Sequence, residues 1–185
     1  MLARLGKLAD RIAKLLLATE IERVQRDESP ACSLILADLD RFKSINDRYG
    51  HQGGDNVLRE TARVMAEQVG KLRLGERSIV ARYGGEEFAI ILPNVGLAGA
   101  MRIAEGIRSA IAAESITVGS TTLNVTISIG VAECTQQTNN PTSLVAAADQ
   151  ALYQAKESGR NCVCQAGEPN ATSSNDKPIL ASPRG

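Results

Sequence analysis

Four pairs of residues have types and spacings suited to metal and phosphate chemistry. Asp38 and Asp40 stand two apart at the end of an apolar run. On an extended segment their side chains point the same way, and paired hard carboxylates suit magnesium. A polar loop after a strand explains them equally well. Glu86 and Glu87 follow Gly84 and Gly85, and two adjacent acids beside two glycines are an odd choice for a turn alone. A strand-end aspartate and a hairpin-tip glutamate together can pinch magnesium between neighbouring strands, an arrangement suited to moving a phosphoryl or nucleotidyl group. Glycines there would let the backbone approach phosphate closely.

The other two pairs fit a nucleotide. Asn46 and Asp55 offer complementary hydrogen bonding to a guanine, since the carboxylate accepts from ring NH and exocyclic amine while the amide both donates and accepts. Turn and helix-start chemistry explains them as well. Lys156 and Arg160 are four apart near the end of a helical stretch, hence on one face, where two cations can hold a triphosphate tail. Basic residues also stabilise helix C-termini without binding anything, and that is the commoner reason for them.

The pattern around these residues predicts the elements that must carry them. Leu5, Leu8, Ile12 and Leu15 recur at helical steps, so an amphipathic helix runs from Leu2 to Arg26, ended by Asp27 to Pro30. Its basic residues also fall at helical spacing, and a solvated face of a packing or coiled-coil helix accounts for them better than a membrane-surface face. Ser33 to Leu39 reads as a buried strand with charge at its carboxyl end. Gly50 to Gly54 reads as a break, followed by a helical stripe through Val57, Leu58, Thr61, Ala62, Met65 and Val69 that ends at Gly70. Ile79 to Tyr83 and Glu87 to Leu92 flank the glycines as a β-hairpin. A helix over Leu97 to Ala113, strands at Ile116 to Val118, Thr122 to Asn124 and Thr126 to Val131, a helix over Pro141 to Glu157 and a strand at Asn161 to Cys164 complete the order. Helices separated by short strands predict an α/β (α+β layered) domain.

With 185 residues and 43% apolar content, one domain with short extensions is expected. The domain spans residues 28–165, residues 1–27 form a helix leading into it, and residues 166–185 are too poor in apolar side chains to fold and read as a disordered tail. Lysine plus arginine balance aspartate plus glutamate at 21 each, which argues against coating nucleic acid or a membrane, so any phosphate binding must be local. The four cysteines form no CxxC pair and the single histidine is distant from them, which speaks against zinc. No apolar stretch approaches a membrane span, and a cytoplasmic protein with reduced thiols is expected.

The run from Asp38 to Asp55, DLDRFKSINDRYGHQGGD, resembles the DxDxFKxINDxxGHxxGD signature of GGDEF domains, and RYGGEEF from Arg82 to Phe88 resembles the motif that names them. NVTISIGV from Asn124 and ADQALYQAKESGRN from Ala148 resemble further family segments in the same order. The resemblance covers residues from about Leu5 to Cys164. It implies a five-stranded central sheet surrounded by helices, like the palm of nucleotide cyclases and polymerases. It also implies a diguanylate cyclase, which condenses two GTP molecules into cyclic di-GMP and releases two pyrophosphates.

Carried over by position, the resemblance assigns the metal, Mg2+ with Mn2+ as a substitute, to Asp38, the Leu39 carbonyl and Glu86, with Glu87 beside them. Asn46, His51 and Asp55 would hold the nucleotide, while Lys43, Lys156 and Arg160 would neutralise its triphosphate. Phe42 and the backbone of Gly84 and Gly85 would line the path. Glu86, Glu87 and Lys43 are the expected catalytic residues. Each domain takes one GTP, so a homodimer is expected for catalysis, and an upstream sensor or regulatory domain is expected to govern it.

Two family features are missing. The product-inhibition motif RxxD would need arginine and aspartate where Gly75 and Ser78 stand, although Arg73 and Arg77 are close by in sequence. The entry motif DxLTGLxNR is replaced by Leu5 to Arg11, LGKLADR. A non-catalytic module that binds GTP or cyclic di-GMP is the rival reading, and its usual mark is a broken hairpin motif. Here the motif reads GGEEF.

Overall fold

The computed structural model describes residues 2–72 and 78–167, with side chains from Lys14 onward in the first helix. Its elements run α1 (Leu2–Gln25), β1 (Cys32–Leu39), α2 (Phe42–Lys71), β2 (Ile79–Arg82), β3 (Glu87–Pro93), α3 (Leu97–Ala113), β4 (Ile116–Val118), β5 (Thr121–Leu123), β6 (Ile127–Glu133), α4 (Pro141–Glu157) and β7 (Val163–Gln165). Five strands form one sheet in the order β2-β3-β1-β6-β7, and β4 and β5 form a separate hairpin. The pairs around β1 are antiparallel, whereas β6 and β7 run parallel. The expected five-stranded sheet surrounded by helices is the fold.

β1 is central and buried along its whole length. Its odd positions Ile35, Ala37 and Leu39 enter one core with α2 and α3, and its even positions Leu34 and Leu36 enter another with Leu17 and Ile21 of α1 and Leu144, Ala148 and Leu152 of α4. A strand covered on both faces is apolar throughout, which is why its sequence shows no polar alternation before Asp38.

Local chemistry sets the helices that flank the sheet. Asn140 caps α4 by accepting from Ser143 N while Ser143 Oγ receives the Asn140 N–H, and Pro141 supplies a pre-set first-turn φ. Gln25 Nε2 donates to Asn139 O at 2.7 Å, tying the end of α1 to the start of α4. Gly130 of β6 lies directly beneath α4, where a Cβ would strike Ala148 O and Leu152 N, so the helix presses on the strand backbone itself.

The segment from Gly50 to Gly54 differs from expectation. It does not separate a loop from a helix, because α2 already begins at Phe42 and continues through a kink at Gly50, whose φ of 72° is left-handed. Gly53 and Gly54 are buried because the two arms of the kinked helix approach closely: a Cβ on Gly53 would lie 2.6 Å from Tyr49 Cβ, and one on Gly54 would collide with Asn46 Oδ1. At the other end of the chain Ala166 still donates to Val131 O at 2.8 Å, and most of the expected tail lies outside the described residues.

Candidate active site

Strand pairing assembles the acids. β1 and β3 pair so that Asp38 faces Glu87, and Leu39 N donates to Glu86 O at 3.3 Å just beyond the last pair. Two acids separated by almost fifty residues of sequence therefore share one sheet edge. The hairpin between Arg82 and Phe88 is closed by Tyr83 N donating to Glu87 O at 2.8 Å, and Arg82 clamps it from outside with Nη2 on Gly85 O at 2.6 Å. A Cβ on Gly84 would lie 2.6 Å from Glu87 Oε2 and force that carboxylate to move, whereas a Cβ on Gly85 would meet open space.

Asp38 is 8% exposed and continues the even row of β1 toward α4. There Lys156 Nζ lies 2.9 Å from its Oδ2. Burial lifts the Asp38 carboxyl above its ordinary value; the hydrogen bond and charge of Lys156 oppose this, and Glu86 and Asp40 push it further up. The Glu87 carboxyl is raised by burial and by Asp38, with Asp149 and Glu86 adding to the rise and Lys156 opposing it. Asp149 was not singled out from sequence, yet it stands seven residues before Lys156, two helical turns along the same face. Four carboxylates thus act on one ammonium, an electrostatic deficit that a divalent cation suits. Among the described residues no three acidic, histidine or cysteine side chains converge closely enough to hold an ion by themselves, so a metal here would rely on carboxylates completed by a backbone carbonyl.

Asp40 does not converge with Asp38 as the two-residue spacing suggested. The chain leaves the strand after Leu39, and the Asp40 oxygens turn to the start of β6 and to the turn that leads into β7. Oδ1 accepts from Ser128 Oγ at 2.6 Å, and Oδ2 accepts from Thr126 Oγ1 at 2.7 Å and from Asn161 N at 3.0 Å. These donors satisfy a carboxylate only 8% exposed and pin the start of α2 to the beginning of β6 and to the turn after α4. The hydroxyls of Thr126 and Ser128, alternating along an otherwise apolar strand, were the sequence signal for this role.

Lys156 and Arg160 do not share a helix face, because α4 ends at Glu157. Gly159, Arg160 and Asn161 then follow with φ of 106°, 68° and 48°, a left-handed turn, and Arg160 is among the residues that line a cavity beside the start of α2. The nucleotide candidates lie on α2. Phe42 is buried in the first turn, Lys43 is exposed, Asn46 is half-buried over Gly54, and His51 and Asp55 are exposed just past the kink. Of the positions that would carry the product-inhibition motif, Ser78 immediately precedes β2, while Gly75, Arg73 and Arg77 lie outside the described residues.

The profile of the family described as "Diguanylate cyclase, GGDEF domain" matches residues 4–162. The chain belongs to this GGDEF family. This GGDEF domain is 48% identical over 133 residues to the response regulator PleD of Caulobacter vibrioides, covering 71% of the chain and 28% of PleD, and 41% identical over 137 residues to diguanylate cyclase A of Treponema denticola, covering 74% of the chain and 36% of that protein. It thus spans only about a third of the length of these curated relatives. Among solved structures, the GGDEF domain of YfiN from Pseudomonas aeruginosa superposes with a TM-score of 0.77 at 32% identity, covering 86% of this chain and 96% of that one. The GGDEF domain of DgcB from Caulobacter crescentus, solved in complex with c-di-GMP, gives 0.75 at 31% identity, covering 86% and 88%. Among the described residues no helix is long and apolar enough to cross a membrane.

Proposed function

We propose that this GGDEF domain is a diguanylate cyclase that condenses two GTP molecules into 3′,5′-linked cyclic di-GMP. The supporting observation is the register that sets Asp38 opposite Glu87 and bonds Leu39 N to Glu86 O, gathering carboxylates and a chain turn at one sheet edge with a single opposing cation, Lys156. Asp38, the Leu39 carbonyl and Glu86 would hold Mg2+, or Mn2+ in its place. When bound, the ion supplies positive charge to the triphosphate.

In the reading proposed, Asn46, His51 and Asp55 grip the guanine base, and Phe42 with the Gly84 and Gly85 backbone lines the way to the acids. Lys43, Lys156 and Arg160 offset phosphate charge, and Glu86, with Glu87 beside it, takes the proton from the attacking 3′-hydroxyl. That oxygen bonds to the α-phosphorus of the second GTP, the bond to the β-phosphate bridging oxygen breaks, and pyrophosphate leaves. A reciprocal attack closes the ring, so two domains face each other as a homodimer, at least transiently, under an upstream regulatory domain. We read the domain as cytoplasmic. Without RxxD, tight product binding at the family's inhibitory surface is not expected, and the product competes with GTP at the guanine groove instead.

The test is incubation of the purified chain with GTP and magnesium, followed by chromatographic separation of nucleotides. Cyclic di-GMP and pyrophosphate should appear in a ratio of one to two, and Asp38→Asn or Glu86→Gln should abolish both while leaving the circular dichroism spectrum unchanged. Unaltered turnover in Asp38→Asn would overturn the reading.

A further inference from the structure

We propose that Arg108 of α3 is a positioning residue for the nucleotide site: through Asn161 it holds the left-handed turn that aims Arg160 at the triphosphate. This rests on the cyclase reading, in which Arg160 offsets phosphate charge.

The turn needs outside support. Gly159, Arg160 and Asn161 take left-handed φ in succession, of 106°, 68° and 48°. Glycine adopts that region freely and asparagine tolerates it, but a long side chain such as arginine enters it at a cost. Such a conformation persists where the surroundings over-determine it. The chain is anchored before the turn by Arg160 N donating to Ala155 O at 3.1 Å, which closes the end of α4, and after it by Ile129 N donating to Cys162 O at 3.0 Å. Between these anchors two elements distant in sequence act, and both act on Asn161.

The Asn161 N–H donates to Asp40 Oδ2 at 3.0 Å, and its side-chain Oδ1 accepts from Arg108 Nη1 at 2.7 Å. The asparagine is thus held by its backbone from the start of α2 and by its side chain from α3. Arg108 is itself fixed as a fork: Nε and Nη2 donate to the two carboxylate oxygens of Glu105, at 2.9 Å and 2.6 Å, one helical turn earlier. An ion pair between neighbours on one exposed helix face contributes little by itself. Here the Arg108 side chain is only 19% exposed against 54% for Glu105, and the donor that the fork leaves over crosses to another element. Glu105 sets the plane of the guanidinium, and that plane sets where Asn161 must sit.

For Arg160, the only charged residue of the turn, direction matters. Gly159 on one side of it imposes no bearing, so its bearing is set from the Asn161 side. A guanidinium meets phosphate oxygens through parallel N–H bonds, and a small rotation of its backbone spoils that match. Without the Arg108 contact, the cap bond of α4 and the bond to β6 remain, but Arg160 samples other directions. The loss then falls on phosphate binding and not on the fold.

Titration calorimetry of the full chain with a non-hydrolysable GTP analogue and, separately, with GMP tests the inference. Arg108→Ala should weaken the analogue about tenfold and leave GMP, which lacks the outer phosphates, little changed. Arg108→Lys keeps a cation able to reach Asn161 and should recover most of the affinity. Asn161→Gly suits the left-handed φ and removes only the acceptor, so it should match Arg108→Ala, and it carries the test where Arg108→Ala does not fold. Arg160→Ala should weaken the analogue at least as much, and adding Arg108→Ala to it should cost nothing further, because the second change acts only through the first. Unchanged analogue affinity in both Arg108→Ala and Asn161→Gly, equal losses for GMP and the analogue, or additive losses with Arg160→Ala would each overturn the inference while the assignment of Arg160 stands. Insensitivity to Arg160→Ala would overturn both together. Because heat is read without turnover, either result is distinguishable from failure to make cyclic di-GMP.

Discussion

Lys156 Nζ lies 2.9 Å from Asp38 Oδ2 and is the cation felt by both Asp38 and Glu87. The pair is unequal in its surroundings: the Asp38 side chain is 12% exposed and that of Lys156 31%. Losing the lysine therefore strands a mostly buried carboxylate beside other acids, while losing the aspartate leaves an ammonium that still reaches water. Lys156→Gln should destabilise the metal-free protein by about 1–2 kcal/mol in urea denaturation at neutral pH, between the values typical of surface and of fully buried pairs. Adding Asp38→Asn should restore most of that loss, giving a clear coupling energy in a double-mutant cycle. If Lys156→Gln costs no more than the same change at exposed Lys43, the pair contributes nothing.

Much of this arrangement was legible in the sequence because it is local. α3 and α4 occupy the spans expected for them, and β1 was announced by its apolar run. What escaped depends on the third dimension. Gly53 and Gly54 read as helix breakers, yet they are helical and small because Tyr49 and Asn46 lie against them across the kink. Arg160 was placed on a helix face by counting from Lys156, which ignored the glycine at position 159 that ends α4 in a left-handed turn. Spacing likewise paired Asp40 with Asp38, although only the neighbouring strand reveals which hydroxyls claim its oxygens.

Asp40 offers a test of that distinction between structural and chemical acids. Its three donors come from Thr126, Ser128 and the Asn161 backbone, and hydrogen bonds to a charged acceptor are each worth more than neutral ones. Asp40→Ala should cost about 3 kcal/mol or more, because three buried donors lose their acceptor at once. Asp40→Asn should cost roughly half as much, since the Ser128 hydroxyl can rotate to accept from the new amide while Thr126 and Asn161 keep an oxygen. Chemical denaturation of the two variants decides it, and equal losses would show that the charge, not the bonding pattern, is what matters.

The Glu87 carboxyl predicts a pH dependence. Burial first, and Asp38 second, hold it above its ordinary value of 4.5 in the folded state. A raised carboxyl means that folding favours the protonated form, so the associated stability is complete below the unfolded value and is lost as pH rises through the folded one. At neutral pH the ionised group is a burden on the metal-free protein. Glu87→Gln should accordingly raise the melting temperature at pH 7.5 by roughly 1–3 °C, and the advantage should fade as the pH is lowered past the ordinary glutamate range. A gain that persists unchanged at about pH 4 would mean that it comes from something other than ionisation.

Three glycines, each changed to alanine, separate what the fold needs from what the site needs. At Gly130 the added methyl meets the backbone of α4, with Leu152 Cα at 2.8 Å and closer contacts to Ala148 O and Leu152 N. Backbone in the middle of a packed helix cannot step aside, so Gly130→Ala should cost about 3 kcal/mol or more and lower soluble yield. At Gly54 the methyl meets the end of the Asn46 side chain and, at 3.0 Å, the tip of the Phe42 ring. Asn46 can rotate away, so the stability loss should be nearer 1 kcal/mol, but the amide proposed to grip guanine is displaced, and affinity for a non-hydrolysable GTP analogue should fall further than stability does. At Gly85 a Cβ meets open space and φ is not left-handed, so Gly85→Ala should be close to neutral in denaturation. The order Gly130, Gly54, Gly85 in stability, with only Gly54→Ala folding well yet losing nucleotide, is the expected pattern. If Gly54→Ala binds the analogue normally, Asn46 is not held in place by its contact with that glycine, and the guanine groove must be formed by other residues.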